Sequence, residues 1–212
     1  DFIFIGVSEK MINYTVWKKE EFQEKACVVA PKLLGQYLIH RTEDAVYIGR
    51  IVETEAYGGT YRRQADDGAH SFRGVTKRTE PMFAAVGIAY VYLIYGMYHC
   101  MNVVTAPVGS GQAVLIRAVE PVAGVDAMLK NRHMTRVKPV ISNGPGKVCR
   151  AMQITMADNK ADLCGSSLCI AHPETVPRIS VVRTPRIHID YAVKGKHFPW
   201  RYYIKDNPYV SI

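Results

Sequence analysis

Between Pro81 and Ile116 the chain carries no Asp, Glu, Lys or Arg, although its formal net charge is +8. Inside that stretch lies YVYLIYGMYHCMN, residues 90–102, with tyrosines at 90, 92, 95 and 98. So long an uncharged run leaves three candidates: a membrane span, buried strands, or an aromatic surface for a ligand. From Phe83 to Val104 the length suffices to cross a bilayer. However, the run contains Gly87, Gly96, His99 and Asn102 besides the phenol hydroxyls, and no second such segment exists. No membrane association is expected. Side chains alternate along a strand, so Tyr90 and Tyr92 share one face while Val91 and Leu93 take the other. Gly96 then permits a tight reversal into Tyr98–Val104. The result is a hairpin whose tip displays Tyr95, Met97 and Tyr98. A core hairpin with every aromatic packed inward is the plainer alternative. A helix, which the spacing of Tyr92, Tyr95 and Tyr98 permits, fits the β-rich content less well.

The rest of the chain reads as one α+β domain over residues 1–212, with residues 1–12 as an N-terminal extension, ordered or flexible. Thr15 is a candidate N-cap for a helix through WKKEEFQEKACVV, broken at Pro31 and resuming in KLLGQYLI. Strand patterns follow at 45–57, 89–95, 100–105 and 112–119. Helical signals return at VAGVDAMLKNR and, after the turn-like SNGPG, at KVCRAMQI. RISVVRTPRIHIDY and RYYIKDNPYVSI close the chain as strands. This order predicts a curved, mainly antiparallel sheet with peripheral helices and a protruding β-hairpin.

An excess of 27 Lys+Arg over 19 Asp+Glu favours an anionic partner. Five cysteines are an odd number without disulfide density, which suits a reducing compartment. The spacing of Cys164 and Cys169 is not that of a zinc knuckle, and no HExxH occurs, so neither metal nor cofactor is expected.

In RIVETEAYGG, residues 50–59, a strand places Glu53, Glu55 and Tyr57 on one face. Two carboxylates there repel unless solvent or cations intervene. A solvated face is the bland reading; a general base beside an aromatic platform is the sharper one. A two-carboxylate glycosidase pair is disfavoured, because its acids must flank the bond from opposite sides. Arg117, inside the apolar strand VLIRAVEP, calls for a carboxylate partner, and Glu55 or Glu53 is the natural one. The polar loop after Gly59 supplies His70, Arg73, Lys77 and Arg78.

Taken together, R-I-V-E-T-E-A-Y, A-H-S, Y-V-Y-L-I-Y-G-M-Y-x-C-M-N, V-L-I-R-A-V-E-P and N-G-P-G-K resemble the alkyladenine (3-methyladenine) DNA glycosylase family, the type without a helix-hairpin-helix motif. The likeness runs from about Lys25 to the C-terminus and is densest between Arg50 and Pro121. One departure is Thr76-Lys77-Arg78-Thr79, where family members often read T-P-R-N. It bears on local DNA contacts rather than on the chemistry.

The resemblance implies hydrolysis of the N-glycosidic bond of a damaged purine in double-stranded DNA, leaving an abasic site. By position, Glu55 corresponds to the general base that activates water, with Arg117 and the backbone of Ile187 helping to hold that water. Tyr57, His70 and Tyr92 correspond to walls of the base pocket, and Asn102 to a guard against normal guanine. Tyr95 corresponds to the wedge filling the gap left by the flipped nucleotide, with Met97 and Tyr98 beside it. Arg73, Arg78 and Lys147 correspond to DNA-backbone contacts. Substrates of the 3-methyladenine type are implied, with hypoxanthine and ethenoadenine as further candidates. A monomer is expected, cytoplasmic (nucleoid-associated) in a bacterium or nuclear in a eukaryote. Two other readings stay open: a non-catalytic nucleic-acid-binding module, and a bifunctional glycosylase/lyase using a lysine nucleophile.

Overall fold

Apolar alternation along the middle of the chain is expressed as one nine-stranded antiparallel sheet. The computed structural model describes residues 5–7, 10–175 and 177–211. Its large sheet comprises β1 (Tyr14–Val16), β2 (Tyr37–Arg41), β3 (Val46–Tyr57), β4 (Ala89–Ile94), β5 (Tyr98–Thr105), β6 (Gln112–Ala123), β7 (Leu168–Pro173), β8 (Val181–Thr184) and β9 (Arg201–Ile204). The order is β1-β7-β2-β3-β6-β5-β4, with β9 joining β3 to β8. β3 is the hub. One edge pairs with β6 along its length, while the other is shared by β2 at Val46–Arg50 and by β9 at Glu53–Glu55.

Three short helices, α1 (Ala26–Lys32), α2 (Val125–Asn131) and α3 (Pro145–Ala151), pack into the main apolar core. Thr54 Oγ1 donates to the carbonyl of Ala30 in α1 (2.9 Å). Since Thr54 faces away from Glu53 and Glu55, α1 covers the side of β3 opposite the carboxylates. The carboxylate face is thereby left for loops.

Several expectations need correction. Residues 14–16 form a strand rather than a helix start, because Tyr14, Thr15 and Val16 pair with Pro173, His172 and Ala171. The helix expected through 17–29 is split into a 3₁₀ turn at Lys19–Phe22 and α1. Pro31 does not end α1; it lies in the last turn. Nor does the helix resume in KLLGQYLI, whose second half is β2, buried between β7 and β3. β7 was not foreseen, and of RISVVRTPRIHIDY only Val181–Thr184 is strand. In the N-terminal extension, Ile5–Val7 and Lys10–Ile12 pair as a separate hairpin; residues 1–4, 8 and 9 lie outside the described residues.

Candidate active site

Glu53 and Glu55 are both fully buried on the same face of β3, yet they are partnered differently. Glu53 Oε1 accepts from Arg117 Nε (3.0 Å), Arg201 Nε (2.7 Å) and Ser211 Oγ (2.8 Å), and its Oε2 from the Ser211 amide (2.7 Å). Glu53 thus accepts four bonds, three of them crowded on Oε1, and of its donors only Arg117 lines the main cavity. Glu55 Oε2 accepts from the Tyr57 hydroxyl (2.7 Å) and Arg117 Nη1 (3.3 Å), and its Oε1 from the Ile187 amide (2.9 Å). Among the described residues, one acceptor site on Glu55 stays unused. All three of its donors line the main cavity.

Arg117 reaches both acids because of a β-bulge. The β6–β3 register steps from Ile116↔Thr54 to Ala118↔Glu53, so Arg117 is the extra residue. Burial works against its charge, but Glu55 and Glu53 outweigh that and raise its pKa above the ordinary value. Burial, reinforced by the Glu55 charge, pushes the Tyr57 hydroxyl well above its usual range, so it remains a proton donor.

The loop carrying Ile187 is fixed by a buried ion pair that the sequence reading missed. Arg186 meets Asp66 through two bonds (2.7 and 2.5 Å) and also donates to the carbonyls of Ala56 and Gly195. Its guanidinium lies 4.6 Å from the centre of the Tyr57 ring. The available signals were weak: an arginine in T-P-R-I, and the acidic pair in A-D-D-G.

The cavity holds about 590 Å³. One side is aromatic, with Tyr57, His70, Tyr90 and Tyr92. His70 Nδ1 lies 3.0 Å from the Tyr90 hydroxyl, and its ring meets Tyr92 edge-on at 4.7 Å. Burial, helped by the Arg78 charge, lowers the His70 pKa to about 4, so the ring is neutral at pH 7. Arg78 itself stacks over Tyr92 at 5.0 Å. Asn102, buried in β5, donates to the Tyr90 carbonyl (3.1 Å) and lines the same space.

The other side of the cavity is cationic, with Arg132, Lys147 and Arg150. Lys147 Nζ donates to Asn143 Oδ1 (2.8 Å). Burial first, then the neighbouring Arg132 charge, lowers its pKa.

The hairpin tip projects from this cavity. β4 and β5 are joined by Tyr95-Gly96-Met97, with Ile94 paired to Tyr98. Tyr95 takes a left-handed backbone (φ +52°) and is 85% exposed, and Met97 is 67% exposed. Tyr95 and Tyr98 both line the cavity mouth. Arg73, by contrast, is exposed on the 3₁₀ turn 70–73 and does not line the cavity. Of the other residues proposed for the site, Glu55 is bonded to the cavity wall, Arg78 stacks on it through Tyr92, Met97 stands at the hairpin tip and the rest line the cavity, whereas Lys77 is exposed outside it.

Known proteins resemble this chain over most of its length. A curated protein of Bacillus cytotoxicus, named "Putative 3-methyladenine DNA glycosylase", is 48% identical over 196 residues, covering 86% of this chain and 93% of its own. Proteins of the same name from Alkaliphilus oremlandii (46%, covering 86% and 92%) and Desulfitobacterium hafniense (43%, covering 92% and 97%) match similarly. The family profile for methylpurine-DNA glycosylase matches residues 20–208. The chain therefore belongs to the methylpurine-DNA glycosylase family, enzymes of base excision repair.

Proposed function

We propose that this protein excises damaged purines, of the 3-methyladenine type first, by flipping the nucleotide from duplex DNA and hydrolysing its N-glycosidic bond. The observation that carries this reading is the contrast between the two buried acids. Of the donors to Glu53 only Arg117 lines the cavity, Arg201 and Ser211 lying outside it, whereas all three donors to Glu55 line the cavity and its Oε1 accepts a single bond. Glu55 is thus the general base, holding a water aimed at C1′ and offsetting the oxocarbenium charge that develops there. Arg117 and the Ile187 amide orient its carboxylate.

The aromatic wall suits the substrate electrostatically. An N-alkylated purine is cationic, and ring faces attract it more than they attract a neutral base. A neutral His70 adds no opposing charge and can donate a hydrogen bond to hypoxanthine or ethenoadenine. The cationic wall of Arg132, Lys147 and Arg150, with Arg78, takes the phosphates of the flipped strand. Tyr95 is the wedge: an exposed aromatic in a left-handed backbone has no role in packing, and unstacking a base step needs such a side chain. The proposed enzyme acts as a monomer.

The lyase reading has one point in its favour, the lowered pKa of Lys147 at the cavity wall. Against it, the Lys147 amine is held by Asn143, and the vacant acceptor site on Glu55 suits water. The test is product analysis on a duplex carrying one alkylated purine. The expected products are free base and an alkali-labile abasic site, with the strand intact and no borohydride-trapped adduct. A trapped adduct would replace water by a lysine, and no released base across several lesions would leave only a binding module.

A further inference from the structure

A second hairpin stands at the rim of the cavity, and its tip is two arginines. Thr60 pairs with Ala65 and Tyr61 with Gln64, leaving Arg62 and Arg63 as a two-residue loop. Both take positive φ, +48° and +65°, as a type I′ turn requires at its two central positions. Asn-Gly suits that turn. Arginine suits it poorly, since its Cβ meets the following carbonyl in the left-handed region. Two such residues in succession oppose the local preference for no gain in packing, for both are exposed.

Their charges are also unspent. The ion pairs of the described residues engage other cations, and neither Arg62 nor Arg63 has a carboxylate partner. The nearby acids are taken: Asp66 is held by Arg186, and Asp67 accepts from the amides of Val193, Lys194 and Gly195. Arg62 lies over the Tyr61 ring at 5.3 Å, and Tyr61 packs against Phe198, so the base of the hairpin is anchored.

Both legs of this hairpin are rooted in the cavity wall, at Tyr57 before it and at Gly68 and His70 after it. Arg62 is five positions along the chain from Tyr57, which keeps the tip within roughly 17 Å of the base pocket. One DNA strand places a phosphate every ~3.4 Å, so that distance corresponds to about five nucleotides. We propose that the Arg62-Arg63 turn is a second DNA-binding element, gripping backbone phosphates a few nucleotides from the flipped base. It rests on the glycosylase reading for the identity of the polyanion. It adds a contact surface distinct from the wedge and from the cationic cavity wall.

Two double variants separate charge from fold. Arg62→Asn/Arg63→Gly removes both charges and restores the favoured turn, whereas Arg62→Lys/Arg63→Lys keeps the charge. Affinity for an undamaged duplex would be measured by fluorescence anisotropy across salt, with urea midpoints and wild-type base release recorded in parallel. The Asn-Gly variant should lose about 1.8 from the log–log salt slope and bind roughly ten- to thirty-fold more weakly at 0.15 M salt, as two lost phosphate contacts require. Its urea midpoint should equal or exceed wild type, its single-turnover rate at saturating protein should not change, and the Lys-Lys variant should keep the slope. An unchanged slope in the Asn-Gly variant, with wild-type base release intact, would overturn the hairpin assignment and leave the glycosylase reading standing. A lower midpoint would overturn it too, by giving the arginines a role in the fold. A flat salt response and no base release in wild type would overturn both.

Discussion

The buried end of β3 and the tip of the β4–β5 hairpin border the same cavity but are built on opposite terms. Around Glu53 and Glu55 the charged groups are partnered: Arg117 and Arg201 on Glu53, Arg117 on Glu55, Arg186 on Asp66. At the hairpin tip, Tyr95 and Met97 stand in solvent on a turn that opposes the preference of a tyrosine. Folding energetics account for the first region, since a buried charge without a partner is costly. They do not account for the second, where burial is forgone and backbone strain accepted. A site that must hold a carboxylate to a fraction of an ångström needs many contacts. A side chain that must enter another molecule must be free of them.

Breaking the buried network should give the largest effect on stability. Asp66→Ala would strand the Arg186 guanidinium, and losing one partner of a buried pair costs about 3–5 kcal/mol. Denaturant unfolding should show that loss, and near-wild-type stability would mean that Arg186 finds water or another acceptor. Glu53→Ala should behave alike, because it frees both Arg117 and Arg201.

Tyr95→Gly should do the reverse. Relieving a left-handed tyrosine is worth on the order of 1 kcal/mol, so the fold should hold or gain slightly. Excision from a paired site should slow, while excision from a bulged site, already unstacked, should slow less. Equal slowing at both sites would remove the wedge role.

At neutral pH the smallest effects concern two histidines, whose contributions change with pH in opposite senses. His70, held neutral by burial and by Arg78, has a folded pKa of about 4 against 6.5 unfolded. Its contribution is complete above pH 6.5 and is lost as pH falls from 6.5 towards 4. For His40, burial works against the charge, but Asp158 and the Met152 carbonyl outweigh it and raise the folded pKa above 6.5. Its contribution is complete below pH 6.5 and is lost as pH rises through that raised value. Urea midpoints should vary less on the acid side in His70→Gln and less on the neutral-to-basic side in His40→Gln. The same limb flattening in both variants would contradict these environments.

What the sequence revealed follows the range of the interactions. The hairpin with Tyr95 at its tip, the shared face of Glu53 and Glu55, and the demand of Arg117 for a carboxylate all rest on alternation within single strands. They could be read from neighbouring residues. The clamp of Arg186 on Asp66 joins positions 120 apart, and Ser211 closes on Glu53 across 158; no local pattern announces such pairs. For the same reason Thr15, in the middle of β1, reads locally as a helix N-cap. Tyr14–Val16 owes its conformation to pairing with β7, and the helix-favouring residues after Val16 masked that.

The central claim is that of two equally buried acids on one strand, Glu55 alone performs the chemistry. The most direct test is single-turnover base release from a duplex with one alkylated purine, comparing wild type with Glu55→Gln under conditions where both bind DNA. The account predicts that release is abolished in the variant while DNA affinity and the urea midpoint are largely kept. Release at the wild-type rate by Glu55→Gln would contradict it and place the general base elsewhere.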